Sequence, residues 1–549
     1  MMGWIYAAGA LPALWLCRKG WHRLLLSKAK HPSLRGHARM SQFVARLVPH
    51  YEYDEATFFS ADDAPENIQR QRRSGFARLR DTLAGKAPRT LAESRELESD
   101  ISDVDFTNAY RVPFQFRTIV RENLRLGNLV SETCGVQVRD LDGNWSYDLG
   151  GAYGVNLFGY DFYKRCIERG AAKVRDLGPL LGSYHPVIAS NVKRLKAISG
   201  LDEVSFHMSG TEAVMQAVRL ARYHTGRSHV VRFTGAYHGW WDGVQPGVGN
   251  PRPPREVYTL KEMDADTLRV LKTRSDIACV LVNPIQAMHP NGQAPSDSTL
   301  VASDRNARYD RHAYARWLQD LREVCTQRGI VLILDEVFLG FRLAYGGAQQ
   351  YFGVRADMVT YGKTLGGGLP IGVVCGRKDL MKRYREGNPT DICFARGTFN
   401  SHPYVMGAMS EFLDYIDQPD VREHYVKLDE TWDRRAQALN ARLSELGLPV
   451  RVANMTSIWT TLYTTPSRYN WMLQYYLRAE GLSMSWIGSG RFIFSHNYTE
   501  ADVAEVCECF LRAARAMNAD GWWWNDGRVT NKSIRRRVLK EMVKVRLGT

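Results

Sequence analysis

A lysine set among glycines is the residue of this chain best suited to covalent chemistry. In "YGKTLGGGLPIG" (361–372), Lys363 has Gly362 on one side and Gly366 to Gly368 close on the other, and glycines permit backbone approaches that a Cβ would block. A lysine amine held partly out of water is a nucleophile able to form a Schiff base with an aldehyde. Asp335 closes the most hydrophobic run, "GIVLILDEV", where an unpaired carboxylate would be costly to bury. Its partner is then either a salt-bridging cation or a protonated pyridine nitrogen, the pairing used in pyridoxal phosphate sites. In "HMSGTEAVMQAVRLAR", Ser209, Gly210 and Thr211 precede a helix whose apolar face is Ala213, Val214, Ala217, Leu220 and Ala221. Such a turn offers hydroxyls and backbone N–H groups to a phosphate, or simply caps the helix. In "FTGAYHGWWDG", Tyr237 and His238 could stack on a flat ring or be ordinary core aromatics.

These residues need a frame that brings them together, and the chain from Asp202 onward supplies one. Short β-branched runs alternate with longer helical patterns, the mark of a parallel sheet covered by helices. The predicted strands are Val204–His207, Val230–Phe233, Ala278–Val282, Ile330–Leu334, Met358–Tyr361 and Gly372–Cys375. Ser209 and Thr211, Tyr237 and His238, Asn283, Asp335 and Lys363 all follow strand ends. In an open α/β sheet, ligands bind beyond the carboxyl ends of the strands, so five segments converge on one crevice.

The 549 residues, 44% hydrophobic and 24% charged, allow a large core or several domains. Lys and Arg number 73 against 58 Asp and Glu, a net charge of +15, which attracts anionic partners in general. No RNA-binding or zinc-finger signature accompanies the charge, and many basic residues lie near the two chain ends, so nucleic acid is not the expected partner. Nine scattered cysteines form no disulfide framework and no metal spacing beyond the pair Cys507 and Cys509. That usage fits a reducing cytoplasm and no metal.

The N-terminal apolar run Gly3 to Cys17 falls short of the roughly 20 residues that span a bilayer, and it lacks the basic start and cleavage site of a signal peptide. Pro12 is expected to kink a helix there. Trp4, Tyr6, Trp15 and Trp21 with Arg18, Lys19 and Arg23 suit an interfacial anchor; a helix packed on the protein itself is the other reading. The C-terminus pairs Trp522, Trp523 and Trp524 with a basic helix carrying Ile534, Val538, Met542 and Val545 at helical spacing. It reads as a second membrane-surface element or as a solvated terminal helix.

Taken together, "SGTEAVMQAVRLAR" (209–222), "GAYHGWWDG" (235–243), "LILDEVFLGFRLAYGGAQQYFGVRADMVTYGKTLGGGLPIG" (332–372) and "RGTFNSHP" (396–403) resemble the class III, subgroup II, pyridoxal phosphate-dependent aminotransferases. The likeness runs from about Arg70 to Arg515 and is strongest toward the subgroup that holds glutamate-1-semialdehyde aminomutase. It implies a fold-type I α/β architecture, with a mostly parallel seven-stranded sheet in a large domain and a small α+β domain built from both chain ends. It also implies a homodimer whose active sites are shared between subunits. The implied boundaries are 1–67 for an N-terminal extension, 68–175 and 406–518 for the small domain, 176–405 for the large domain and 519–549 for a tail. The implied roles give Lys363 the Schiff base, Asp335 the pyridine nitrogen and Val337 the face beneath the ring. Tyr237 stacks on the ring beside His238, Ser209, Gly210 and Thr211 take the phosphate, and Thr398 reaches that phosphate from the neighbouring subunit.

The chain also departs from the family. Asn283-Pro284 stands where many relatives carry Glu-Pro, and Met288 lies near the place of a second glutamate found in ornithine-type enzymes. Arg491 falls where those enzymes bind the donor's carboxylate, or it is a surface arginine. The segment "QPGVGNPRPPREVYTL" is shorter than the loop that retains the aminomutase intermediate, which favours transfer between two molecules. "YRVPFQF" (110–116) and "RDLDGNWSYDLGGAYGVNLFG" (139–159) look more like the aminotransferase modules of polyketide and prodiginine-type pathways. The reading is therefore an aminotransferase moving an amino group from an amino acid donor to a ketone or aldehyde of an apolar acceptor. A 1,2-aminomutase and a membrane-associated scaffold without catalysis are the alternatives.

Overall fold

The computed structural model describes residues 2–292, 307, 309–485 and 490–548, and the chain divides into two compact units. The first comprises residues 1–46, 170–294 and 310–414; the second comprises 47–169, 295–309 and 415–549.

The first unit is built on seven strands: β1 (Glu203–His207), β2 (His229–Phe233), β3 (Val257–Leu260), β4 (Ile277–Val282), β5 (Val331–Asp335), β6 (Met358–Gly362) and β7 (Gly372–Gly376). Their order across the sheet is β1-β7-β6-β5-β4-β2-β3. Only β7 runs against its neighbours, pairing antiparallel with β1 and β6 while the other pairs are parallel. Strands covered on both faces should be continuously apolar, and every residue of β4 and β5 is buried. The helix Gly210–Thr225 lays Ala213, Val214, Ala217, Leu220 and Ala221 on the sheet, all but fully buried, as its sequence period requires.

Six of the strands fall within two residues of their predicted bounds, and β3 is the one the sequence pattern did not give. It is an edge strand that pairs only with β2 and follows the proline-rich "GNPRPPRE", which reads as loop. Just beyond it, Glu262 is buried and accepts a hydrogen bond from the Tyr314 hydroxyl. Desolvation pushes its pKa up to about 8 from an ordinary 4.5. The folded protein thus keeps a proton that the unfolded chain gives up, so this contribution to stability is complete below pH 4.5 and is lost as pH rises toward about 8. Glu262→Gln retains an acceptor for Tyr314 and should be more stable, relative to the parent, at pH 8 than at pH 5, by roughly 3 kcal/mol. Urea unfolding at the two pH values reads this directly, and equal differences would contradict it.

The second unit holds a mixed sheet of Glu132–Cys134, Gln137–Arg139, Trp145–Asp148 and Leu482–Ser483, and an antiparallel sheet of Val450–Met455, Ile458–Tyr463 and Arg491–Ile493. Its core corrects the expectation for the C-terminal tryptophans. Trp522 is fully buried against Phe58, Phe59, Phe76 and Tyr469, and its indole N–H donates to the Tyr476 hydroxyl at 2.8 Å. Trp523 is buried too and donates to Asn470 Oδ1 at 2.9 Å. The basic helix Asn531–Leu547 is tied to the same unit, because Glu541 accepts from Arg468 at 2.8 Å and from the Tyr53 hydroxyl at 2.6 Å. These tryptophans are core residues, not a membrane girdle.

At the other end, the helix Met2–Ala29 continues past Pro12 rather than ending there. Proline's missing N–H and its ring cost an interior turn about 3 kcal/mol without forbidding it. The side chains of Trp4 and Tyr6 lie outside the described residues. No described helix is long and apolar enough to cross a membrane.

Candidate active site

The carboxyl ends of β1, β2, β4, β5 and β6 lie along one edge of the sheet, and each carries candidate groups. Asp335, the last residue of β5, is 3% exposed. Its Oδ2 is 2.8 Å from His238 Nδ1, and its Oδ1 accepts from the Thr360 hydroxyl at 3.1 Å and the Val337 N–H at 3.2 Å. A carboxylate can only accept, so His238 Nδ1 carries the hydrogen. Burial holds the His238 pKa below its usual value against the opposing pull of Asp335, with Arg232 adding to the depression. The ring is therefore a neutral donor that orients the carboxylate.

Val337 is the point where three segments meet. A Cβ on Gly210 would lie 2.5 Å from Val337 Cγ1, and one on Gly362 would lie 3.2 Å from the same methyl and 3.8 Å from Gly210 Cα. The β1 turn, the residue two beyond Asp335, and the glycine before Lys363 thus close on one another, and glycine is needed where they touch. Gly210→Ala should cost about 1–3 kcal/mol by overpacking, part of which Val337→Ala in the same chain should restore. A thermal melt of the two variants checks this, and an unchanged melting temperature for Gly210→Ala would contradict the packing.

Lys363 begins a short 3-10 turn, Lys363–Gly366, with φ of +49°. A non-glycine residue in the left-handed region costs on the order of 1–3 kcal/mol and persists where its surroundings fix it. Its Nζ sits 5.1 Å from the centre of the Phe338 ring. The glycines after it serve the chain's own packing: a Cβ on Gly367 would lie 2.4 Å from Ala408 O, on the helix Pro403–Ile416.

The remaining residues divide between those the fold gathers and those it does not. Ser209 Oγ accepts the Glu212 N–H at 3.2 Å, so that hydroxyl caps the helix, while the first N–H groups of the turn have no intrahelical partner. The Tyr237–Gly239 loop lies against this turn, since a Cβ on Gly239 would fall 2.4 Å from Thr211 Oγ1. Tyr237 is half exposed, and its carbonyl accepts from Asn283 Nδ2 at 2.8 Å. Asn283 is buried and its Oδ1 accepts the Ile285 N–H at 3.4 Å, so its amide caps the turn after β4 and ties it to the Tyr237 loop. Thr398 is exposed in the 397–400 turn, outside these hydrogen bonds. Arg491 opens the strand Arg491–Ile493 of the second unit. Sequence reasoning missed Thr360 and Phe338; the hint for Thr360 was a hydroxyl inside the otherwise apolar "DMVTYG".

Comparison with known proteins bears on the family and the fold. The family model described as Aminotransferase class-III matches residues 120–245 and 309–513. The glutamate-1-semialdehyde 2,1-aminomutase of Geotalea daltonii is 30% identical over 378 residues, covering 65% of this chain and 80% of that protein. The protein of that name from Nitratidesulfovibrio vulgaris strain DP4 is 32% identical over 338 residues, covering 61% and 77%. Among solved structures, a transaminase with PLP bound aligns with TM-score 0.63 and 25% identity over 78% of this chain and 99% of that one. A glutamate-1-semialdehyde aminomutase from Pseudomonas aeruginosa PAO1 aligns with TM-score 0.65 and 19% identity over 82% and 98%, a likeness of fold. The chain belongs to the class-III aminotransferase family.

Proposed function

We propose that the chain is a pyridoxal phosphate-dependent aminotransferase that moves an amino group from an amino acid donor to a ketone or aldehyde of an apolar acceptor. The observation that carries this reading is the closure of the Gly210 turn and the Gly362-Lys363 turn on Val337, two residues beyond a buried Asp335. That cradle, which a Cβ would fill, suits a flat ring with a phosphate at one end and an acceptor for its nitrogen proton at the other. Pyridoxal phosphate, when bound, supplies an aldehyde and an electron-accepting ring. Lys363 Nζ would hold the cofactor through that aldehyde and, as a free amine, would take up a proton and give it back. Asp335, oriented by His238, Thr360 and the Val337 N–H, holds the proton on the ring nitrogen. Val337 would lie beneath the ring, Tyr237 would cover it, and the Gly210 and Thr211 N–H groups would hold the phosphate, with Ser209 capping their helix. Thr398 of the partner subunit would complete the phosphate contacts in a homodimer.

Transfer between molecules is preferred over a 1,2-aminomutase because of the shorter segment after the Tyr237 loop and the neutral Asn283, which is committed to holding Tyr237. The names of the curated relatives favour the aminomutase as the second reading. Glutamate or alanine is supplied with a panel of apolar carbonyl compounds, and release of the matching 2-oxo acid is measured. Stoichiometric release supports the transferase; isomerisation of an amino aldehyde without net donor use establishes the mutase instead.

The N-terminal segment supports a place at an anionic membrane surface. Its helix buries Leu25 and Ala29, with Ala29 O accepting the Lys261 N–H at 2.8 Å, and leaves Trp15, Leu16, Trp21 and Leu24 exposed. Eight Lys or Arg and no Asp or Glu precede Glu52, a charge balance complementary to anionic lipid. The full chain should sediment with phosphatidylglycerol vesicles and not with phosphatidylcholine vesicles, and Trp15→Ser with Trp21→Ser should weaken this. Equal partition between the two would refute it.

A further inference from the structure

The second unit contains a cluster of arginines that the proposed chemistry does not use. A cavity of about 40 Å³ is lined by Arg95, Arg111, Arg117, Arg121 and Arg125, with Glu98 as its one carboxylate. Arg121 already faces Glu98 at 3.5 Å and Asp105 at 3.6 Å, so those acids do not neutralise the rest. Arg111 is 4% exposed, and its guanidinium makes no hydrogen bond or ion pair among the described residues. Its neighbours are the Tyr475 and Tyr153 phenols and the half-buried guanidinium of Arg478, which donates to the Gln474, Met484 and Ser485 carbonyls. Arg117 stacks at 5.0 Å on the Tyr110 ring, and its Nε is buried without an acceptor. Arg125 also lacks an ionic partner among the described residues.

Burying a cation without a counter-charge is among the most costly arrangements a fold can hold. Arg111 is buried in that way, and with the half-buried Arg117 and Arg125 beside it on one open cavity the missing counter-charge is left to a ligand. We infer that this cavity is a binding site for a phosphate group, closed on by Arg111, Arg117 and Arg125. Guanidinium forks bind oxyanions through paired N–H donors. Forks from three residues lining one cavity suit a tetrahedral oxyanion with acceptors in several directions better than a planar carboxylate. The cavity exceeds the space of one water but admits only the compact anionic end of a molecule, so the remainder of the ligand would extend into solvent.

The test uses the full chain saturated with pyridoxal phosphate, so that added phosphate does not enter the Ser209–Thr211 turn. Inorganic phosphate and, separately, glycerol 3-phosphate are titrated at constant ionic strength against chloride, with calorimetry and thermal unfolding as readouts. Saturable binding and a rise in melting temperature that chloride does not give are expected. Tighter binding of glycerol 3-phosphate identifies a phosphate ester as the occupant; equal or tighter binding of inorganic phosphate identifies the free ion. Arg125→Ser, at the half-exposed rim, should weaken binding at least ~10-fold, about the loss of one charge-assisted pair, while leaving the melting temperature in chloride unchanged. Arg111→Met should abolish the response. No response beyond chloride, or a response of equal affinity in Arg125→Ser, would overturn the assignment even if Arg111→Met failed to fold.

Discussion

Lys363→Ala is expected to lose at least ~10³-fold in turnover, because both the covalent tether and the proton-transferring amine are removed together. The same variant should fold normally. Its backbone already sits at φ of +49°, and alanine meets the same left-handed penalty as lysine, so the unfolding free energy should change by less than about 1 kcal/mol. Cofactor would still be retained by the Gly210–Thr211 turn and by the face over Val337, now removable by dialysis. Steady-state kinetics together with a denaturant melt separate these effects. A variant that kept substantial turnover would remove Lys363 from the mechanism.

Asp335→Asn should reduce turnover by ~10²–10³-fold, the range seen when one preorganised electrostatic contact to the reacting system is removed. Its effect on stability should be much smaller, and the reason lies in His238. The carboxylate now accepts from His238 on one oxygen and from Thr360 and the Val337 N–H on the other. An amide keeps one oxygen for the latter pair and turns its NH2 toward His238. Burial keeps that ring neutral, and a neutral ring accepts at Nδ1 by changing tautomer. The cost is then about 1–2 kcal/mol, a rearranged rather than an abandoned network. A large loss of stability with little change in turnover would mean that Asp335 is a structural anchor and not part of the site.

The sheet, and the strand ends that carry the candidate site, were legible in the sequence because buried parallel strands are unambiguous: "CVLV" and "VLIL" admit no solvent-facing period, and the polar residue after each marks its carboxyl end. What was not legible depended on contacts. Strand β3 alternates too weakly and follows too many prolines to register. Thr360 reads as a β-former until Asp335 is placed beside it, and His238 reads as a ring neighbour until its bond to Asp335 is seen. Trp522 and Trp523 are amphipathic rings that suit an interface and a core equally well; only the Phe58, Phe76 and Tyr476 contacts decide. The glycines after Lys363 read as permitting close backbone approach without saying to what, and Gly367 makes that approach to the chain's own helix at Ala408.

The central claim is that Lys363 is the residue joined to the cofactor. Borohydride reduction of the pyridoxal phosphate-loaded protein, followed by proteolysis and mass spectrometry, tests it without reference to any substrate. A pyridoxyl phosphate adduct on the peptide containing "YGKTLGGGLPIG", at Lys363, is the predicted result. An adduct on another lysine, or none on a protein that has bound the cofactor, would contradict it.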